Sequence, residues 1–175
     1  FIEDNKLLQY NPIVVRSNHD EWIDKWIKYS DWKKDVVNAK EYMEYALVLL
    51  SGEAKKGLLP YLLEKKYGAD KITCLGLDDS FKILGWELGQ HGHLGAHGSK
   101  GNIEQYRKLN TKIITGDWHV PQRKQGAASV GTYSMLRQGF NNGASAWMHA
   151  GAIIHSNGKM QHVIFAEDDK FTTLF

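Results

Sequence analysis

Three short stretches of this sequence gather the side chains that can bind a cation or move a proton. Ser17-Asn18-His19-Asp20 stands between an apolar run and a helical pattern, His91-Gly92-His93 opens a glycine-rich tract, and Gly116-Asp117-Trp118-His119 closes another apolar run. Neutral imidazole nitrogens and carboxylate oxygens suit divalent Mn, Fe, Zn or Ni, and open coordination positions would favour hydrolysis. Glycines beside such ligands let the backbone turn tightly and let a substrate approach without meeting a Cβ atom. Each stretch also has a plain structural reading. A lone histidine is more often a surface or hydrogen-bonded residue, and Asn-His-Asp can simply cap the following helix. Their shared placement after apolar runs favours a common cleft, because polar groups at strand ends of layered α/β architectures usually face one.

The elements that must position these groups follow from the hydrophobic pattern. Residues 13–15 after Pro12 are β-branched and apolar, which predicts a strand running into the first polar stretch. Beyond Asp20, residues Trp22, Ile23, Trp26 and Ile27 recur with helical spacing, followed by a second helix marked by Met43, Ala46, Leu47 and Leu50 and a third broken or started near Pro60. The three make a helical insert over about residues 20–67. After Gly68, "KITCLGL" and "FKILGWELGQ" each predict a strand, and a short helix is expected over 103–109 with Ser99 or Asn102 at its start. "TKIITGDWHVP" repeats the pattern of a strand emptying into a polar turn; "AASVGT" is a further short apolar segment. "SAWMHAGAIIH" and "KMQHVIFA", joined by Ser156-Asn157-Gly158, predict a hairpin. The expected class is α/β in the broad sense, with helices and strands segregated as in α+β proteins.

Composition bounds the function. A chain of 175 residues with 42% hydrophobic content can build one domain-sized core. The formal net charge of +2 does not announce a nucleic-acid partner, so attraction to phosphates has to be local. A single cysteine, Cys74, excludes an internal disulfide framework and a multi-cysteine zinc site, and fits a reducing compartment. No apolar run approaches the roughly 20 residues of a membrane span. The chain opens on Phe1 rather than Met, and a fragment of a longer chain is the expectation.

Taken together, "SNHD" at 17–20, "HGH" at 91–93 and "GDWH" at 116–119 resemble, in the same order, the Asn-His-Asp/Glu signature, the isolated ligand histidine and the Gly-His-x-His motif of calcineurin-like metallophosphoesterases. "HGHLGAHGSKG" followed by "VGTYSMLRQGFNNGASAWMHAGAIIHSNGKMQ" is similar to phage-encoded members of that family, including DNA-degrading proteins made early in infection. The resemblance spans residues 12–165. It implies a two-sheet sandwich flanked by helices, with two divalent metal ions held at strand ends, Mn favoured and Mg, Fe, Zn or Ni possible. Asn18, His91 and His119 resemble metal ligands, His19 the general acid toward the leaving group, and Asp20 its orienting partner. Asp117 replaces a ligand histidine, either as an oxygen ligand or as a change that weakens the site. His93, His97 and Lys100 fall where substrate phosphate or the ligands themselves would be supported. His149, His155 and His162 are expected to be structural or exposed, and Trp147 to pack in the core. Lys100, Arg107, Lys108, Lys112, Arg123 and Lys124 are candidate contacts to a phosphodiester backbone, and Trp118, Tyr133 and Trp147 candidate stacking surfaces for bases. The upstream Asp-x-His and Gly-Asp-x-x-Asp motifs of the family are not found. The resemblance therefore implies the C-terminal portion of one catalytic domain, completed by a preceding N-terminal part or a separate segment. The implied activity is a DNase working by phosphodiester hydrolysis in the cytoplasm of an infected bacterial host. Partners expected are DNA and, conceivably, further copies of the chain. A phosphomonoesterase and a catalytically degenerate binding protein are the alternatives.

Overall fold

The computed structural model describes residues 2–165 and 171–174; Phe1, and Ala166 at the end of the last strand expected from sequence, lie outside the described residues. Helices and strands are both present and segregated along the chain, an α+β class. Two compact units emerge, Phe1–Asp79 and Ser80–Phe175.

In the first unit, β1 (Ile13–Val14) pairs in parallel with β2 (Thr73–Cys74). A parallel pair needs a long crossover. The helical insert supplies it as α1 (Glu21–Tyr29), α2 (Ala39–Ser51) and α3 (Leu58–Tyr67), with two 3-10 turns between α1 and α2. Ile27 of α1 is buried, Trp26 meets the Tyr42 ring edge-on at 5.3 Å, and the Tyr42 hydroxyl donates to the Ile27 carbonyl at 2.7 Å. Gly52 ends α2 with a φ of 75°, a left-handed conformation that glycine adopts without a Cβ penalty. At the start of α3, Asp24 Oδ1 accepts from the Leu58 N–H at 3.0 Å, and Pro60 sits in the first turn, where its missing N–H breaks no helical bond. Burial pushes the thiol of Cys74 up to about 11, which makes it an inert packing group. The apolar helix faces expected from sequence are only partly covered, with Trp22 62% and Leu50 84% exposed.

The second unit is built on a five-stranded mixed sheet. Its strands are β3 (Lys82–Ile83), β4 (Trp86–Glu87), β5 (Lys112–Thr115), β6 (Gln122–Lys124) and β7 (Ala127–Ser129), in the spatial order β3-β4-β5-β7-β6. β4, β5 and β7 run parallel, so their C-terminal ends lie along one edge. A second, antiparallel sheet has the order β10-β9-β8, from β8 (Ala150–Ile154), β9 (Met160–Phe165) and β10 (Phe171–Leu174). Alternation along β5 divides the cores, since successive strand residues face opposite sides. Ile114 joins Trp86, Ala128 and Met160, with Ala152 and Ile154 packed against them, so the two sheets share an apolar interior. Ile113 turns the other way and meets Ala127 and Tyr106 of α4 (Ile103–Arg107). Asn102 caps that helix, its side chain accepting from Gln105 N, as the sequence predicts.

Two segments depart from the sequence expectation. "FKILGWELGQ" is a tight hairpin of β3 and β4 rather than one strand, because Leu84 (φ 49°) and Gly85 (φ 83°) both take the left-handed conformation that two-residue hairpin turns require. Gln122–Lys124, for which the sequence predicts no strand, is an edge strand, drawn into the sheet by antiparallel pairing with β7.

Candidate metal and phosphate site

In the first unit, Asn18, His19 and Asp20 follow β1 and lead directly into α1. Asp20 Oδ2 accepts from the Ser17 N–H at 2.7 Å, and Ser17 Oγ accepts from the Asp20 N–H at 3.2 Å. This reciprocal pair closes the turn before the helix, as a capping box does. The Asp20 carboxylate is therefore engaged by Ser17, while the exposed His19 ring packs against Trp22 at 4.5 Å. Among the described residues no donor reaches the buried Asn18 Oδ1.

In the second unit, His91, Gly92 and His93 follow β4, and Asp117 and His119 follow β5, so parallel pairing brings residues 26 positions apart in sequence to the same sheet edge. Backbone bonds lock the two loops together: the N–H groups of Gly116 and Asp117 donate to the His91 carbonyl at 2.8 and 3.0 Å. Gly92 (φ 113°) is required here, because a Cβ would lie 2.8 Å from Thr115 Cβ. The tract beyond it is pinned by Gly101 N–H to the His93 carbonyl at 3.0 Å and by Trp118 Nε1–H to the Gly101 carbonyl at 3.2 Å.

His91 Nε2 lies 3.2 Å from Asp117 Oδ1, off the line of an N–H···O hydrogen bond. The His91 ring beside it, opposed by partial burial and helped by the nearby His93 and His119, holds the Asp117 carboxyl below its ordinary value. The His91 and His93 rings are 5.4 Å apart. His119 has a left-handed backbone (φ 58°), and its ring meets the edge of Trp147 at 4.3 Å.

The donor types suit a divalent cation. A separation of 3.2 Å is also what two ligands of one cation show when each metal–donor distance is about 2.1 Å. Among the described residues, however, no three His, Cys, Asp or Glu side chains are grouped closely enough to hold an ion, so His91 and Asp117 amount to half a coordination shell. The buried Thr115 hydroxyl, next to Gly92, has no described hydrogen-bond partner.

The other residues singled out in the sequence divide. His97 and Lys100 are exposed in the glycine-rich tract, where Leu94 and Lys100 form a backbone bridge. Arg107 and Lys124 both pair with Glu104, and Lys112 lies over the Trp86 ring, so each of these three cations has a partner within the unit. Trp118 packs against Tyr106 below the loop. His162 is buried against the Ser129 carbonyl, while His149 and His155 bond Ser134 and Gln161. Trp147, expected in the core, is half-exposed, because the loop that carries it lies against His119 rather than between the sheets. Sequence reasoning missed Phe140, which meets Trp147 at 6.1 Å, and the buried Glu87; no spacing signal marks either.

An α+β chain with imidazole and carboxylate groups at strand ends is the class these observations define. No known protein-family profile matches the chain, and no solved structure matches it. It is 35% identical over 160 residues to Protein A1 of Escherichia phage T5, an alignment covering 87% of this chain. The chain thus spans about 29% of the length of that phage relative. No described helix is long and apolar enough to cross a membrane.

Proposed function

We propose that this chain carries part of a divalent-metal-dependent phosphodiesterase that acts on DNA. The single observation that supports the reading best is the His91–Asp117 approach, two cation-donor groups 3.2 Å apart on strand ends locked by backbone hydrogen bonds. His91 and Asp117 would hold a cation; Mn is favoured by the mixed nitrogen and oxygen pair. Divalent cations, when bound, supply Lewis acidity toward the phosphoryl group. His19, exposed at the head of α1, is assigned the proton transfer from its imidazole N–H to the departing ester oxygen. The capping pair of Ser17 and Asp20 fixes the turn from which His19 projects, so Asp20 acts on His19 through the backbone. Similarity to a phage protein agrees with this reading without naming an activity.

The test is hydrolysis of linear DNA, a simple phosphodiester and a phosphomonoester by the full-length protein with added Mn. His19→Ala is expected to lower diester hydrolysis by about 100-fold or more, to leave Mn uptake unchanged, and to matter less when the leaving group is good. Loss of Mn uptake in His19→Ala would remove the acid role. A second reading has one specific observation in its favour: Asp117, standing where the resembled motif has histidine, is engaged by His91. DNA binding without turnover by the full-length protein at any Mn concentration, with Asp117→His restoring hydrolysis, would establish that binding protein instead.

A further inference from the structure

We propose that the second unit holds a separate phosphate-binding cleft, beside edge strand β6, that takes the sugar-phosphate backbone of a nucleic-acid strand. The cleft measures about 410 Å³ and is lined by Gln122 and Arg123 of β6 together with His155, Lys159 and Gln161 from the β8–β9 hairpin. None of its lining residues is acidic. Arg123 is held in place, since Nη1–H donates to the Met160 carbonyl at 3.2 Å and the guanidinium lies 5.9 Å from the Trp86 ring centre. Its remaining N–H groups meet no carboxylate among the described residues, and neither does Lys159. An oriented guanidinium with spare donors is the side chain best matched to a phosphate's paired oxygens.

The surrounding charge makes the absence of acid selective. Arg107 and Lys124 are neutralised by Glu104. Residues 118–166 contain no Asp or Glu, although the whole chain has 20, and apart from the paired Lys124 they include Arg123, Arg137 and Lys159. Arg123 and Lys159, unmatched and lining one cleft, are the footprint of a polyanion. The occupant is read as a strand because β6 is the margin of its sheet and all three of its residues are exposed, so the cleft opens along an edge instead of closing round a mononucleotide.

Anisotropy of a fluorescent oligothymidylate with the full chain in EDTA tests the site apart from hydrolysis. Lys159→Glu and Arg123→Gln should each raise Kd about 5-fold or more and reduce the slope of log K against log salt by about 0.7 per cation removed. Thermal melts report folding. Should Arg123→Gln unfold through loss of its Met160 and Trp86 contacts, Lys159→Glu combined with His155→Glu, both at exposed positions, decides the matter. Unchanged affinity and salt slope in that folded double variant would overturn the site. Adenosine monophosphate binding as tightly as the oligonucleotide, with equal dependence on Lys159, would overturn the strand as occupant. Lys159-dependent binding with no hydrolysis by the full-length protein after Mn is added supports the cleft while removing the phosphodiesterase reading.

Discussion

The turn at Ser17–Asp20 and the cluster at His91 and Asp117 use similar residue types and are built in opposite ways. In the turn, every described contact spans three residues: Ser17 with Asp20, and His19 with Trp22. In the cluster, the contacts join separate loops and depend on β4 and β5 lying side by side. A local turn tolerates change because it can re-form by itself. A cluster made by strand pairing fails wherever the strands or the glycine between them are disturbed.

The sharpest way to break the comparison is Gly92→Ala. A Cβ at that position meets Thr115 Cβ at 2.8 Å on a backbone with φ 113°, and the expected cost is about 2–3 kcal/mol. Urea denaturation should show that loss, and Mn uptake should fall with it because His91 and Asp117 separate. Uptake that survives would show that the cluster is not held by this packing.

A second, intermediate effect concerns acid, to which the sheet unit has its own sensitivity. Burial works to raise the Glu87 carboxyl, but hydrogen bonds from the Ser80 hydroxyl and the N–H groups of Gly89 and Phe81 outweigh it and hold it below the ordinary 4.5. A lowered folded-state pKa means stability that is present above the unfolded value and lost as pH falls through the folded one. The second unit should therefore lose stability below about pH 4.5, with a shallower slope in Glu87→Gln, as read by urea midpoints across an acid series. Identical slopes in the two proteins would remove Glu87 from the account.

The smallest effect is expected in the local turn. Ser17→Ala removes one half of the capping pair and should cost about 1 kcal/mol, confined to fraying at the start of α1 and visible as faster hydrogen exchange there. The His91–Asp117 contact should be untouched. A loss as large as that of Gly92→Ala would mean that the two regions are not built as differently as their contacts indicate.

Much of this architecture was legible because its signals are short-range. Apolar spacing placed the helical insert of 20–67, Asn157-Gly158 placed the β8–β9 hairpin, and Asn102 placed the start of α4, each through geometry that a few consecutive residues impose. Residue chemistry likewise singled out Asn18, His91, Asp117 and His119 as one candidate set. What escaped was decided at long range or by backbone conformation. Left-handed Leu84 and Gly85 turned one expected strand into a hairpin, and pairing with β7 made a strand of the polar Gln122-Arg123-Lys124. The sequence by itself determined which residues are of types able to ligate a cation and which segments can be helix or strand, since both depend on side-chain type and local period. Only the tertiary structure decided that His91 and Asp117 meet, that Glu104 neutralises Arg107 and Lys124, and that Arg123 and Lys159 share a cleft without an acid, because contacts across a sheet arise from strand order and register, which no local period encodes.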